Sequence, residues 1–179
     1  MEDRSSMVYV RDNTDRPLTV IEVGVWRGDN ARHLMELNLD RLFLVDPYKA
    51  YKRHNQDEVN CAMAVALPKI ASHPNAYKTS FIRMDSVSAS EFFEDEYFDY
   101  VYIDGDHSFD GALRDINAWW PKVKAGGYFA GHDYSSSVGV MNAVDTFCKA
   151  RGLIVQTWAP PGTYNGAMHL SDWLIEKKG

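Results

Sequence analysis

Short apolar runs alternate with segments of helical periodicity along most of this chain. The runs are rich in β-branched and aromatic residues, and such runs are typical of buried strands. Five of them come before residue 132, and a turn containing polar residues or glycine follows each one. The five predicted strands are residues 18–23, 41–45, 80–84, 97–103 and 128–131.

Apolar residues three or four positions apart predict helices between these strands. Asp29 or Asn30 can cap the first helix, and the second is expected to stop before Pro68. Ser88 and Glu91 have the spacing of a capping box for a further short helix. The longer stripes are Ala31, Leu34 and Met35; Val59, Met63, Ala66 and Leu67; Leu113, Ile116, Trp120 and Val123, ended by Gly126–Gly127; and Met141, Val144 and Cys148, ended near Gly152.

Strand and helix alternate five times, which predicts a parallel sheet covered by helices on both faces, with right-handed connections. Two last strands, 153–157 and 173–176, are divided by a loop at 160–162 and have no helical pattern between them. We therefore expect them to form an antiparallel hairpin. The predicted fold class is α/β, a three-layer, Rossmann-like, seven-stranded and mostly parallel sheet with a C-terminal antiparallel hairpin. The 179 residues fit one domain, 1–179.

Composition narrows the range of partners. Apolar residues make up 45% of the chain, which fits a globular fold and is too many for a disordered chain. The net charge of −6 argues against a large nucleic-acid surface. No apolar run approaches the roughly 20 residues of a membrane span, and no apolar signal segment follows the first residues. We therefore expect a cytoplasmic protein with no nucleic-acid or membrane partner, in which Cys61 and Cys148 are buried free thiols.

Ionisable residues gather where two predicted strands end. Asp104, Asp106 and His107 follow the fourth strand, and His132 and Asp133 follow the fifth. In an open parallel sheet, ligands bind at the carboxyl edge of the strands. Three ionisable groups at one strand end therefore predict a functional site and a candidate metal centre. The alternative for Asp106 is a cap for the helix that follows.

The turn after the first strand has the pattern Glu22-x-Gly24-x-x-x-Gly28. Its glycines let the backbone turn sharply and let a ligand approach closely. The spacing differs from the G-x-G-x-x-G fingerprint of dinucleotide sites. Glu22 could be a paired buried acid, but the two glycines favour cofactor binding.

This turn, together with acids at the ends of the second and third strands, resembles motif I and its companions in the class I S-adenosylmethionine-dependent methyltransferases. The resemblance extends over 18–176 and implies a single methyltransferase domain with S-adenosylmethionine as cofactor. It implies that Asp46 accepts hydrogen bonds from the ribose and that Asp85 and Ser86 contact the adenine. Asp46 could instead be a turn residue and Asp85 a helix cap. The predicted cofactor-binding residues are Glu22, Gly24, Gly28, Asp46, Asp85, Ser86 and Asp104.

The stretch 103–110, with 119–121 and 131–134, resembles the small sugar and natural-product O-methyltransferases with a D-G-D-H motif. Some of these relatives hold a divalent metal, and the resemblance implies Asp104, His132 and Asp133 as its ligands. His132 stands where some relatives have another aspartate. Mg²⁺ prefers oxygen ligands, whereas imidazole suits softer ions such as Mn²⁺. Either the metal differs, or His132 is not a ligand, or there is no metal.

The catechol-type relatives place a lysine base three residues after the first metal-binding acid, and here that position is His107. An imidazole titrates near pH 6.5 and can take a hydroxyl proton near neutral pH. His107 is therefore the predicted base and His132 the second candidate, with Asp104 assisting. The resemblance implies a hydroxyl of a sugar or small natural product as acceptor.

Two other function classes stay open. One is a cofactor-binding or nucleotide-binding module without methyl transfer, and the other is a nucleic-acid methyltransferase. The acidic charge and the lack of an Asn-Pro-Pro-Tyr-type element argue against the second. About 17 residues precede the first strand, too few for a large lid. Either a partner subunit in a homodimer covers the site or the acceptor binds openly.

A basic cluster follows the second strand. In an acidic protein it could grip an anionic substrate, or it could be an ordinary solvated loop. The cluster comprises Lys49, Lys52, Arg53 and His54, interleaved with Tyr48 and Tyr51.

Overall fold

A computed structural model describes residues 4–51, 54–159 and 171–179. Within these residues, seven strands form one sheet in the order β3-β2-β1-β4-β5-β7-β6. The first five pair in parallel, and β7 runs antiparallel to both β5 and β6. The predicted α/β sheet with its antiparallel C-terminal hairpin is confirmed. The strands are β1 (Leu18–Val23), β2 (Leu39–Val45), β3 (Thr79–Ile82), β4 (Phe98–Ile103), β5 (Val123–Gly131), β6 (Gln156–Thr157) and β7 (Trp173–Glu176).

Six α-helices connect and precede these strands in the described residues. The first was not predicted from the sequence. The third continues through Pro68 to Ala71, so its predicted end before Pro68 is wrong; the proline removes its own N–H from the helix, and the Ser72 N–H still bonds to the Pro68 carbonyl. The helices are α1 (Ser5–Asp12), α2 (Asp29–Leu34), α3 (Gln56–Ala71), α4 (Ser86–Ser90), α5 (Phe109–Trp119) and α6 (Val138–Arg151).

The start of α4 lies three residues before the predicted position. The Asp85 side chain accepts a hydrogen bond from the Ser88 backbone N–H at 3.0 Å, so Asp85 is the cap. Glu91 stands at the other end of the helix, and the capping box predicted from Ser88 and Glu91 is wrong. An aspartate accepts from the third residue after it as well as a serine does, and the earlier residue competes successfully here.

The apolar stripe predicted for α5 shares Ile116 with the buried face, but its other positions on the helix differ from the buried ones by one residue. The helix ends at Trp119, while Val123 begins β5 and Gly126–Gly127 lie inside that strand. Trp119 rather than Trp120 occupies the fully buried position. The buried face of α5 consists of Gly111, Ala112, Asp115, Ile116 and Trp119.

The core consists of two clusters, one on each side of the sheet. Val20 belongs to one cluster and its neighbour Ile21 to the other. Leu42 packs with Val20, whereas Val101 packs with Ile21. Successive side chains of a strand point to opposite faces, so both faces of these central strands are covered by helices. The predicted three-layer arrangement is therefore confirmed.

Helix α1 is tied to the sheet by a buried aspartate. Asp172, just before β7, accepts hydrogen bonds from the Ser6 backbone N–H at 3.1 Å and from the Ser6 hydroxyl. Its other oxygen accepts from the Tyr102 hydroxyl at 2.9 Å. Asp172 and Ser6 are both buried, so these bonds fix the first helix against the ends of β4 and β7.

The two cysteines differ in environment. Cys148 is buried, and burial raises the pKa of its thiol to about 11. Cys61 is exposed, so its predicted burial is wrong. Helix α3 buries Val59, Ala62 and Ala66, which leaves position 61 on the solvent side. In the described part of the chain, no helix has the length and apolar character needed to cross a membrane.

A charged cluster lies at the beginning of β4, at the opposite ends of the strands from Asp172. Asp99 is 2% exposed and accepts hydrogen bonds from the Thr19 N–H at 2.8 Å, from Arg16 at 2.6 Å and from Lys124 at 3.0 Å. Burial raises the pKa of Asp99, but these hydrogen bonds lower it by more, and the net pKa lies below its ordinary value. The cluster therefore stabilises the fold when Asp99 is ionised.

We expect Asp99→Asn to lower the free energy of unfolding at pH 7 by about 2 kcal/mol, because charge-assisted hydrogen bonds to a buried group are lost. A depressed pKa gives stability that is present above the unfolded value near 4 and is lost as the pH falls through the folded value. The difference between variant and wild type should therefore shrink below about pH 4. Urea unfolding at pH 7 and pH 3 measures it, with Asp12→Asn on the exposed side of α1 as control. A constant difference at both pH values would contradict the ionic origin.

Candidate functional site

A cavity of about 220 Å³ lies at the carboxyl ends of β1, β2 and β4, bordered by the start of α4 and by α5. Five of the seven predicted cofactor-binding residues line it, which brings together positions far apart in the sequence. The other two, Glu22 and Gly28, are not among its lining residues. The five are Gly24, Asp46, Asp85, Ser86 and Asp104.

Gly24 allows two strand ends to approach closely. Its φ of +92° lies in the left-handed region, and a Cβ there would clash with the carbonyl of Asp104. No residue with a side chain fits this position without moving the backbone. Gly28 has a φ of +71° and turns the chain into α2.

Glu22 lies behind the cavity wall. Its carboxylate is fully buried and accepts a hydrogen bond from Asn30 at 2.8 Å, while Asn30 in turn accepts from Arg4 at 3.2 Å. Burial raises the pKa of Glu22 well above its usual value, against the opposing hydrogen bond from Asn30. The Oε2 atom has no hydrogen-bond partner among the described residues. Glu22 thus links β1, α2 and the N-terminal segment beneath the predicted cofactor turn.

Asp46 orders the two loops that border the cavity. One of its oxygens accepts from the N–H groups of Val25 and Trp26 at 3.0 and 2.9 Å. The other accepts from the Tyr48 N–H at 2.8 Å. The turn chemistry considered for Asp46 is therefore present, and its position in the cavity wall is present as well.

The acid and the hydroxyl after β3 have partners of their own. The hydrogen bond from the Ser88 N–H, which makes Asp85 a helix cap, lowers the pKa of Asp85. The Ser86 hydroxyl accepts from the Trp119 indole at 2.9 Å. From the basic cluster, Lys49 lines the cavity, while Lys52 and Arg53 lie outside the described residues.

Beside this cavity, two carboxylates and two imidazoles form a compact cluster. The His107 Nε2 lies 3.1 Å from Asp133 Oδ2 and 3.5 Å from Asp104 Oδ1. The His132 Nδ1 lies 3.2 Å from Asp133 Oδ1 and 3.9 Å from Asp104 Oδ1. The His107 side chain is 50% exposed and that of His132 only 3%. His107 therefore faces solvent, while His132 supports the acids from below.

Within the cluster, the carboxylates raise the pKa of each imidazole, and the imidazoles lower the pKa of Asp133. The hydrogen bond to Asp104 raises the pKa of His107, with a further rise from Asp133 against the effect of partial burial. Burial lowers the pKa of His132, but Asp133 and Asp104 outweigh it, so the net pKa is raised. Burial raises the pKa of Asp133, but its two imidazole neighbours and Ser136 bring the net value well below normal.

Several donor atoms of this cluster lie close enough together to hold a divalent ion. Donor atoms of Asp104, His107 and Asp133 lie within 4.8 Å of one another, and His132, a predicted ligand, lies 3.2 Å from Asp133 and 3.9 Å from Asp104. Two carboxylate oxygens and one imidazole nitrogen are a donor set that fits a divalent ion such as Mn²⁺.

The loops around the cluster are held in place. Asp106 accepts hydrogen bonds from the N–H and hydroxyl of Ser108 at 2.9 Å, and Ser108 caps α5. Asp106 thus fixes the turn that carries His107 without being the cap itself. The Ser137 hydroxyl donates to the His107 carbonyl at 3.2 Å. Asp133 has a φ of +63°, in the left-handed region, and its Oδ1 accepts a hydrogen bond from the Ser136 hydroxyl.

Two charged residues of this site were missed in the sequence. Arg114 and Asp115 lie on α5 and line the cavity. The available signal was an acid on the buried face of the helix, between Ala112 and Trp119. Because the predicted stripe was shifted by one residue, Asp115 was not assigned to the buried face of α5.

A family model for a methyltransferase domain matches residues 21–134, more than half of the chain. No match was found among curated protein sequences. The fold is similar to three solved structures, all at 16% sequence identity or less, a level that shows the fold alone.

The first is a Clostridium thermocellum protein assigned as an rRNA methylase, with a TM-score of 0.72, 15% identity, and coverage of 100% of this chain and 98% of that chain. The second is a Streptococcus mutans protein assigned as a methyltransferase and solved in complex with SAH, with a TM-score of 0.70, 15% identity, and 99% coverage of both chains. The third is the O-methyltransferase NovP, with a TM-score of 0.61, 16% identity, and coverage of 97% and 76%. With the family match across β1 to β5 and the cavity at their carboxyl ends, the chain belongs to the class I S-adenosylmethionine-dependent methyltransferases.

Proposed function

We propose that this methyltransferase acts on a hydroxyl group of a sugar or small natural product. The observation that carries the proposal is the position of His107. Its ring contacts both Asp104 and Asp133 and is half exposed, and Asp104 also lines the cavity predicted to hold the cofactor. A base is thus available beside the place where the methyl group is expected.

In this proposal the cofactor lies across the turn at Gly24, with its ribose against Asp46. Asp46 Oδ1 accepts one backbone hydrogen bond and retains capacity for a ribose hydroxyl. Because the carbonyl of Asp104 comes close to Gly24, a cofactor held at this turn would have its sulfonium near the acid cluster. The cofactor supplies the reactive methyl group, and the protein supplies alignment and a route for the acceptor proton.

His107 removes the acceptor proton. Its Nε2 faces the two carboxylates, which leaves Nδ1 as the nitrogen that accepts the hydroxyl proton. The carboxylates stabilise the imidazolium that results, in keeping with the raised pKa of His107. With the cofactor bound, the acceptor oxygen would bond to the methyl carbon as the bond from that carbon to sulfur breaks.

Asp104 and Asp133 would hold a divalent ion, Mn²⁺ or Mg²⁺, and His132 Nδ1, within 3.9 Å of both acids, would be the nitrogen donor, because the Nε2 of His107 carries a proton while that ring acts as the base. When bound, such an ion lowers the pKa of a hydroxyl next to it. Two acidic oxygens so close together on a partly open surface support this assignment. In the alternative arrangement His107 is the nitrogen donor, and His132 is then the candidate for the base.

The proposed class of acceptor is argued from the net charge of the chain and from its similarity to other methyltransferases. The net charge of −6 disfavours a polyanion, whereas a small hydroxyl compound meets no such penalty. The similarity to NovP, an O-methyltransferase, agrees with this choice, and the similarity to the protein assigned as an rRNA methylase favours RNA as second candidate.

His107→Ala should lower kcat at least about 100-fold, the usual contribution of a general base. Affinity for S-adenosylmethionine should change less than threefold, because His107 is not among the residues that line the cofactor cavity. Steady-state kinetics and calorimetry give the two values. His33→Ala, a histidine on α2, is the control and should retain full activity. Unchanged kcat in the His107 variant would remove it from the reaction.

Removal of divalent ions with EDTA should lower the rate at least tenfold, and added Mn²⁺ should restore it, because the acids lose the ion they hold. Calorimetric titration of the apoprotein with Mn²⁺ gives an independent readout, and Asp104→Asn should abolish the binding. A rate that is indifferent to EDTA, with no Mn²⁺ binding, would leave the two carboxylates as partners of His107 only.

Radiolabelled methyl groups from S-adenosylmethionine should appear on small hydroxyl acceptors and not on RNA. A panel of sugars, nucleotide sugars and phenols, assayed beside purified ribosomal RNA, distinguishes the candidates. Label in the RNA fraction at rates above those of the small acceptors would reverse the assignment.

A further inference from the structure

Asp115 on α5 is a buried acid that the mechanism above does not use. It is 2% exposed, and yet it borders the cofactor cavity beside Ser86 and Gly105. Its Oδ1 atom has no hydrogen-bond partner among the described residues. A buried carboxylate oxygen without a donor is costly, so its presence at a cavity wall indicates a ligand donor.

The neighbours of Asp115 do not satisfy this oxygen. Ser86 hydrogen bonds to the carboxyl group, while its own oxygen accepts from the Trp119 indole. The Arg114 Nε lies 4.0 Å from Oδ1, beyond hydrogen-bond distance. A Cβ on Gly105 would lie 3.2 Å from Oδ2, so the missing side chain at 105 keeps this part of the wall uncrowded.

The electrostatics of Asp115 agree with a missing donor. Burial raises its pKa to about 6, and the hydrogen bond from Ser86 and the charge of Arg114 lower it only in part. One additional neutral N–H group at Oδ1 would stabilise the carboxylate without placing another charge in the wall.

The cofactor has such a donor in its adenine ring. The methyl group must face the cluster of Asp104 and His107, at the β4 and β5 side of the sheet. The base, at the other end of the adenosyl group, then lies toward the loop after β3, where Ser86 meets Asp115. The ammonium group of the cofactor belongs to its methionine end, on the sulfonium side.

Resting on the proposed cofactor site, we infer that Asp115 Oδ1 accepts a hydrogen bond from the 6-amino group of the adenine. Asp115 is then a specificity-determining residue, which selects a 6-amino purine over a purine without that group. Ser86 acts as a positioning residue, because its hydroxyl ties the Asp115 carboxyl to Trp119.

The test compares S-adenosylhomocysteine with its 6-deamino analogue, in which purine replaces adenine, by calorimetry. The wild-type protein should bind the adenine compound at least about tenfold more tightly, the size expected for one hydrogen bond to a charged group. In Asp115→Leu, which keeps the shape of the side chain and removes both acceptors, the preference should fall below twofold. Asp110→Asn, an exposed acid in the first turn of the same helix, should retain the wild-type preference.

The preference ratio separates recognition from a structural role, because a merely loosened cavity weakens both ligands alike. Equal affinity of the wild-type protein for the two compounds would overturn the inference without any variant, as would a full preference in Asp115→Leu. If that variant does not fold, as judged by circular dichroism, Asp115→Asn keeps one acceptor oxygen and should show an intermediate ratio; an unchanged ratio would count against Asp115. If the wild-type protein binds neither compound, the cofactor site itself is misplaced and both proposals fail.

Discussion

The close approach of the β1 and β4 ends is the constraint on which the site depends. The Asp104 N–H donates to the Val23 carbonyl at 2.7 Å, and the Gly24 N–H donates to the Val45 carbonyl at 2.9 Å. These bonds place three strand ends side by side, and Gly24 alone has the conformation and the lack of bulk that the approach requires. As a result, Asp104 belongs both to the cavity wall and to the acid cluster. The proposed cofactor site and the proposed base, His107, are therefore adjacent.

The sequence predicted the sheet well because its signals are local. Buried parallel strands are short, apolar and β-branched, and their carboxyl ends meet at one edge whatever the details of packing. Asp104, His107 and Asp133 could therefore be placed together from strand ends alone, and the structure brings them within one cluster. Gly24 and Asp46 also stand at strand ends, and their place at the cofactor cavity was implied by the resemblance to the methyltransferases.

The features that were not predicted depend on contacts distant in sequence. Helix α1 buries only Ser6, Met7 and Val10, too few apolar positions to mark a stripe, and its partner Asp172 lies at the far end of the chain. The contacts of His107 with the two acids depend on the turn that Asp106 holds, and no apolar pattern marks that turn. Asp115 was hidden because a polar residue on a buried helix face contradicts the apolar pattern used to find that face.

The bond between Ser6 and Asp172 also has a consequence for biosynthesis. The two residues are 166 positions apart, and a ribosome releases the first long before it makes the second. Until the C-terminal strand emerges, the hydroxyl and amide of Ser6 and the phenol of Tyr102 lack this acceptor. The N-terminal helix therefore completes its hydrogen bonds only when the last-made segment is in place, and this contact of long sequence separation couples the two ends of the chain.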